Sequence, residues 1–77
     1  MRDFSNKSID GANFADANLF LAKFVGASLA KANFQEADLT SASFSQAKAA
    51  GADFRGAIFK ATGLQSADFS GANFQDT

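Results

Sequence analysis

The chain has 77 residues, a formal net charge of −1, and no His, Cys, Trp, Tyr or Pro. Its length allows one small domain over residues 1–77, and its near-neutral charge argues against the basic surface that direct contact with nucleic acid requires. The missing residue types exclude disulfides and thiolate metal sites and remove the commonest general base, so we expect no enzyme, no cofactor and no bound metal ion.

The N-terminal residues are charged and polar rather than apolar. Met1, Arg2 and Asp3 open the chain, and no later window approaches the length of apolar sequence that spans a membrane. We therefore expect a cytoplasmic protein with no membrane contact.

From Phe4 onward, a large apolar residue recurs at every fifth position, with one replacement by Ala49, through fifteen pentads that end with Phe74. An Ala lies two residues before it in every pentad except at Arg2, Lys7 and Thr62. On an α-helix each step of five residues advances about 140° beyond a full turn, so no stripe forms. On a strand an odd period alternates between the two faces. The chain must therefore turn once per pentad, with the apolar residue and the Ala facing one axis.

The central residues also predict the size of the coil. From Phe4 to Phe54 they alternate between Phe and a smaller aliphatic residue, which implies an even number of pentads per coil, and four is the natural choice. Residues twenty apart then stack. The inner ladders are Phe4, Phe24 and Phe44 on one side and Phe14, Phe34, Phe54 and Phe74 on the opposite side. Outside them, a column of Asn13, Asn33, Asp53 and Asn73 is expected to satisfy backbone groups at the turns, with a recognition strip as the alternative.

These units resemble the pentapeptide-repeat family along essentially the whole chain. The motif occurs as Ala12-Asn13-Phe14, Ala32-Asn33-Phe34, Ala37-Asp38-Leu39, Ala52-Asp53-Phe54, Ala67-Asp68-Phe69 and Ala72-Asn73-Phe74. The resemblance implies an all-β fold, a right-handed quadrilateral β-helix (a solenoid) of nearly four coils. It also implies a bacterial, often cyanobacterial, source. Some members of the family resemble the rod of B-form DNA and bind DNA gyrase or topoisomerase, which supplies an alternative function.

One outer wall is acidic. This acidic wall comprises residues 12–16, 32–36, 52–56 and 72–76, where Asp16, Glu36, Asp53 and Asp76 face the single cation Arg55. It is the surface that a DNA mimic would use. Asp16 and Glu36 share a column, so a calcium ion or a basic partner residue is a second possibility, and a solvated pair of carboxylates is a third.

A second wall carries apolar residues where polar or small ones are usual. This apolar wall comprises residues 17–21, 37–41 and 57–61 and includes Phe20, Leu21 and Ile58, with Val25 just around the corner. Exposed apolar clusters mark partner surfaces more often than scattered single residues do. The alternative is a local irregularity that folds Phe20 over an edge.

The two ends of the coil lack an atypical capping segment. Phe69 and Phe74 lie at the C-terminal end, next to unpaired backbone edges that are a template for pairing. We expect a twofold homodimer through the C-terminal coil, because Arg2 and Lys7 would repel each other in an N-terminal contact. The alternative is that the chain is part of a longer solenoid.

Taken together, the sequence predicts a non-catalytic structural or protein-interaction module. Its partner is expected to be a protein, and no motif identifies it. The DNA-mimicking binder of gyrase or topoisomerase remains the alternative.

Overall fold

Each pentad forms one side of a four-sided coil. In the computed structural model, which describes residues 2–77, every β-bridge is parallel and joins residues twenty apart, from Asp3–Lys23 to Asp53–Asn73. The bridges are single-residue contacts, and residues 2–77 form no helix and no longer strand. Four pentads therefore complete each coil, as the alternation of central residues predicts. The stack measures 26 × 26 × 21 Å.

The corners between sides are β-turns. The N–H of Lys7 donates to the carbonyl of Phe4 at 3.1 Å, and nearly every pentad repeats this bond. The third residue of each turn has a positive φ, as a type II turn requires, at all the corner positions from Asn6 to Asp76. Gly fills only some of these positions, so most corners hold a side chain in the left-handed region.

Backbone hydrogen bonds join each coil to the next. Around Phe34, its N–H donates to the Asp53 carbonyl at 2.7 Å and the N–H of Glu36 donates to the Arg55 carbonyl at 2.9 Å. A third bond runs the other way, from the Asp53 N–H to the Ala32 carbonyl at 2.9 Å. The same three bonds recur in the pentads between adjacent coils, so the coil edges have a fixed order of donors and acceptors.

The interior consists of stacked Phe rings. Phe34 lies in parallel stacks with Phe14 at 5.1 Å and Phe54 at 4.9 Å, and meets Phe24 and Phe44 edge-on at 5.5 and 5.6 Å. The two predicted ladders are thus confirmed, and they also contact each other across the axis. Offset-stacked and edge-to-face pairs are the geometries that aromatic rings prefer.

The Ala column fills the space beside the rings. Its members from Ala22 to Ala57 are at most 2% exposed, which confirms their predicted inward orientation. Among residues 2–77 no polar side chain is buried, so the core is entirely apolar.

Ala49 leaves space in the third coil that is filled from the coil above. Phe69 follows Ala49 in the same column, and its ring lies 6.1 Å from that of Phe44 and 5.6 Å from that of Phe54. Both of these rings belong to the same coil as Ala49. The large residue above therefore compensates for the small one below.

Thr62 is the departure from the Ala column nearest the C-terminus. Its N–H does not close the turn onto Phe59, and its hydroxyl instead donates to the carbonyl of Leu39 at 2.8 Å. The hydroxyl is satisfied in this way at a position where the repeat has a methyl group.

Candidate functional site

The apolar wall presents three large side chains to solvent. Phe20 is 53% exposed, Leu21 is 44% exposed and Ile58 is 43% exposed. Phe20 and Leu21 form a corner of the first coil, and Ile58 lies two coils higher on the same wall, about 10 Å away at the usual spacing of β-layers. The structure thus places these three predicted residues on one side of the molecule.

Leu21 holds a backbone conformation that does not suit it. Its φ is 63°, in the left-handed region, where a bulky L-residue is an outlier. The other corner residues are Gly, Ala or polar, and Leu21 is the only large aliphatic residue among them. The left-handed conformation costs an L-residue roughly 1–2 kcal/mol relative to the right-handed one. Leu21 is therefore both exposed and conformationally unfavourable.

Val25 is not part of this exposed cluster. It is half-buried and lies at the next corner, beyond the side formed by residues 22–24. The sequence placed it just around the corner from the apolar wall, and in the structure the side formed by residues 22–24 separates it from Leu21.

A polar pair lies between the apolar residues in the middle coil. Both the N–H and the hydroxyl of Thr40 donate to Asp38 Oδ1, at 3.0 and 2.6 Å. These bonds lower the pKa of Asp38, with the hydroxyl bond as the larger cause. The apolar wall thus has a fixed carboxylate at its centre.

The acidic wall is partly neutralised. The guanidinium of Arg55 holds both carboxylate oxygens of Asp53, with Nη2 at 2.7 Å from Oδ2, and Gln35 Nε2 donates to the same oxygen at 2.6 Å. The side-chain bonds from Arg55 are the main cause of a strongly lowered pKa of Asp53. Asp53 therefore belongs to a local ion pair that offsets its charge on this wall.

The other three acidic residues lie along one corner. Asp16, Glu36 and Asp76 share this corner column with Gly56, and the Glu36 carboxylate folds into the space that a β-carbon on Gly56 would occupy. Across residues 2–77 no three carboxylates come close enough to hold a metal ion. The corner is a line of separate charges.

The polar column beside the turns has a structural role. Its side-chain oxygens accept a hydrogen bond from the N–H two residues later, as from Ala15 to Asn13 and from Gln35 to Asn33, both at 2.9 Å. The same bond occurs at Asp3, Asn18, Asp38, Asp53, Asp68 and Asn73. The prediction that these residues satisfy turn backbone groups is confirmed.

These turn bonds make a testable prediction about acid stability. Bonds to the ionised carboxylates lower the pKa values of Asp38, Asp53 and Asp68 below the ordinary 3.8. A lowered pKa in the folded state means that the stabilisation is fully present above 3.8 and is lost as the pH falls through the folded value. We expect the thermal midpoint to fall steadily as the pH is lowered below about 4, measured by circular dichroism.

Asp53→Asn is the matched variant for this titration. It keeps an oxygen that can accept the turn bond and removes the most strongly shifted carboxylate. Its thermal midpoint should depend less on pH than that of the parent chain. Two parallel pH profiles would show that the Asp53 carboxylate does not contribute to acid stability.

The C-terminal coil exposes apolar side chains on its end face. Phe74 is 36% exposed and Phe69 is half-buried. Leu64, which sequence reasoning did not single out, is 42% exposed on the same face. The sequence shows Leu64 as one of the apolar residues that recur at every fifth position. Its exposure follows from its place in the last coil that the structure describes.

In residues 2–77 no helix is long and apolar enough to cross a membrane.

Comparison with known proteins identifies similar chains. The family model for pentapeptide repeats matches residues 3–35 and 37–76 in 8 copies. A pentapeptide repeat protein from the Arabidopsis thaliana thylakoid lumen is 36% identical, with a TM-score of 0.91 over 97% of this chain and 56% of its own. Rfr23 from the cyanobacterium Cyanothece 51142 is 29% identical, with a TM-score of 0.89 over 94% of this chain and 49% of its own.

A further similar structure is HetL, a pentapeptide repeat protein involved in heterocyst differentiation regulation from the cyanobacterium Nostoc sp. strain PCC 7120. It is 32% identical, with a TM-score of 0.87 over 91% of this chain and 33% of its own. The present chain thus spans between 33% and 56% of the length of these three neighbours. No curated protein matches it.

Proposed function

Because the chain belongs to the pentapeptide-repeat family, we propose that it is a non-catalytic protein-interaction module whose contact surface is the apolar wall. Family membership also supports a right-handed coil. HetL is described as involved in heterocyst differentiation regulation, and by analogy we infer a regulatory contact for this chain.

The main support for this proposal is that Leu21 is exposed and has an unfavourable backbone conformation. A Gly or Asn in its place would suit a φ of 63° better, and a polar side chain would suit its 44% exposure better. Neither the stability of the fold nor the solubility of the chain explains why a Leu occupies position 21. A conformationally unfavourable residue that persists on a surface supports a role in binding, and Phe20 beside it enlarges the apolar contact.

The proposal predicts that Leu21→Asn stabilises the fold. Asn tolerates the left-handed region and presents a polar group to water, so the free energy of unfolding should rise by up to about 1 kcal/mol. Urea denaturation followed by circular dichroism measures the change. A loss of stability on substitution would show that Leu21 is held by packing within the chain, and the argument for a contact surface would fail.

A capture experiment tests the contact surface directly. The double variant Phe20→Ser, Leu21→Ser should lose a partner from a cell extract that the parent chain retains, with an unchanged circular dichroism spectrum. The corner residue Ser41 shares the column of Leu21 and shows that Ser fits there.

The matched control lies on the opposite wall. Ala30→Ser, Lys31→Ser changes the same two turn positions and leaves the apolar wall intact. The partner must be kept by this control and lost by the apolar-wall variant. Retention by both variants, or loss only from the control, would contradict the proposed surface.

The alternative of DNA mimicry has less support. Arg55 neutralises Asp53, and the remaining carboxylates of the acidic wall form one corner line rather than two rows like the phosphates of a duplex. A mimic would inhibit gyrase supercoiling at micromolar concentration and lose that inhibition on charge reversal of Asp16, Glu36 and Asp76.

A further inference from the structure

We propose that the apolar wall binds a basic amphipathic helix of a partner protein, with a Lys or Arg side chain of that helix laid across Ile58. The proposal rests on the function proposed above, since it takes the apolar wall as the contact surface. It adds the chemistry of the partner, which follows from the charges beside the exposed apolar residues and from the spacing between those residues.

Ile58 occupies a position where most pentads have a hydrogen-bond acceptor. In the coil below, Asp38 holds the same position and accepts the N–H of Thr40 at 3.0 Å. An isoleucine side chain has no acceptor, and within residues 2–77 the Lys60 N–H donates to no other group of the chain. Ile58 therefore costs its turn a hydrogen bond and adds exposed apolar surface. Like Leu21, it is better suited to a contact than to the turn it occupies.

Two carboxylates flank the Ile58 side chain. Asp38 lies directly below Ile58 in the same column, where the two residues form a parallel bridge. The Glu36 carboxylate folds into the side-chain space of Gly56, two residues before Ile58 in the chain. One carboxylate is thus below the exposed isoleucine and the other is beside it. A cationic group placed over Ile58 lies close to both.

The Asp38 carboxylate can accept a further hydrogen bond. Both bonds from Thr40 go to Oδ1, and no donor in the described part of the chain contacts Oδ2. The pKa of Asp38 is lowered, first by the two bonds from Thr40 and last by the charge of Lys60, so the group is ionised at neutral pH. Its position is fixed by the turn, and one of its oxygens faces no donor of residues 2–77.

The acidic corner borders the apolar wall as well as the acidic wall. Asp16 and Glu36 immediately precede the first two pentads of the apolar wall. Arg55 lies near this corner, but its charge is offset by Asp53 at 2.7 Å. The apolar wall itself has one cation, Lys60. Its edge therefore carries an excess of negative charge, which favours a cationic partner.

A Lys or Arg side chain matches this combination of surfaces. Both have an apolar stem that packs on apolar surface and a charged head that stays outside it. The stem would cover Ile58, which is 43% exposed, while the head reaches Asp38 and Glu36. A purely apolar side chain would cover Ile58 equally well, but it would take the two carboxylates partly out of water without pairing them. An acidic side chain would be repelled.

The spacing along the wall favours a helix over a strand. Ile58 lies two coils from Phe20 and Leu21, about 10 Å along the solenoid axis. Residues seven apart on an α-helix are about 10.5 Å apart and face the same side. On a strand, about 10 Å corresponds to three residues, which point to opposite faces. A helix along the axis can therefore place an apolar residue against Phe20 and Leu21 and a basic one over Ile58.

Three labelled synthetic helices test the preference for a basic partner. They share one face of Leu residues, and their polar face consists of Lys, Gln or Glu. By fluorescence anisotropy, the unmodified chain should bind the Lys helix at least about fivefold more tightly than the Gln helix, and the Glu helix least. In about 1 M salt, where the screening length is about 3 Å, this difference should vanish. Equal affinities for the Lys and Glu helices, or no saturable binding of any helix, would overturn the proposal.

Asp38→Asn and Asp68→Asn form a matched pair of variants. Each carboxylate accepts the N–H and the hydroxyl of the residue two positions later, at 3.0 and 2.6 Å for Asp38 and at 2.9 and 2.6 Å for Asp68. Asn keeps an acceptor for the turn, and both variants remove one negative charge. Asp68 lies on the opposite wall. Asp38→Asn should weaken binding of the Lys helix by about threefold to fivefold, and Asp68→Asn should not. Equal losses would mean that only the overall charge matters.

Two further variants change the site without disturbing the fold. Gln46 holds an equivalent corner with a φ of 61°, so Glu36→Gln fits its backbone and should weaken binding about as much as Asp38→Asn. Ile58→Asn restores the missing turn acceptor. It should raise the free energy of unfolding, measured with urea, and weaken binding of the Lys helix. A loss of binding in a more stable variant is not due to unfolding.

The double variant Phe20→Ser, Leu21→Ser separates this proposal from the proposed function. It should lose the Lys helix, because the helix is expected to cover both residues. If it does so while Asp38→Asn and Glu36→Gln bind normally, the apolar wall is a contact surface without a preference for basic partners, and only the present proposal fails. Unchanged binding by the double variant would place the helix elsewhere and contradict both proposals.

Discussion

Replacing Phe34 with Ala is expected to lower the free energy of unfolding by about 3–5 kcal/mol. The Phe34 ring is fully buried, and it is stacked between Phe14 and Phe54 while its neighbours Phe24 and Phe44 meet it edge-on. Its removal leaves a cavity that parallel coils at fixed spacing cannot close. For a 77-residue domain this loss is a large part of the total stability, about 0.05–0.15 kcal/mol per residue.

Phe74→Ala is the matched control in the same ladder. Phe74 is 36% exposed, and the ring stacked parallel to it is that of Phe54, at 5.1 Å. We expect a loss of about 1–2 kcal/mol, because less apolar surface leaves contact with protein. Urea denaturation of both variants gives the comparison. Equal losses at the two positions would mean that the stack does not derive its stability from the buried middle coils.

Ala37→Asp should have an even larger effect and leave little folded protein at neutral pH. Ala37 is fully buried in the inner column, where no described polar side chain is available to pair with a carboxylate. An uncompensated buried charge costs about 3–5 kcal/mol or more. The amide fingerprint in a nuclear magnetic resonance spectrum is expected to collapse to that of an unfolded chain.

Ala61→Asp is the control that introduces the same charge at an exposed position instead of a buried one. Ala61 is exposed at a corner with a φ of 53°, a conformation that Asp tolerates. This variant should change stability by less than about 0.5 kcal/mol, as surface substitutions usually do. If Ala37→Asp proved equally mild, the inner column could not be the dry core that the structure describes.

The architecture could be predicted from the sequence because it follows from the five-residue period of the apolar residues. A step of five residues fits neither helix nor strand, and the alternation from Phe4 to Phe54 sets four sides per coil. The hydrogen bonds at Asn13 and Asn33 could also be anticipated, because Asn and Asp favour such turns. These features depend on local chemistry repeated in a fixed order.

Other features depend on side-chain geometry that the period does not determine. Counting charges on the acidic wall missed the pairing of Asp53 with Arg55, which rests on the rotamers of two residues in one pentad. The position of Leu21 was predicted, but not its left-handed backbone. The place of Val25 around the corner from Phe20 was predicted, but its partial burial was not.

The constant offset of twenty residues between bridged positions has a consequence for how the chain folds. Every tertiary pairing has the same sequence separation, so the entropy of closing a loop is the same for each coil and does not grow with the number of coils. Folding can begin at any pair of coils and propagate by adding neighbours. The folding rate is then set by forming the first pair, and lengthening the solenoid should slow unfolding more than it slows folding.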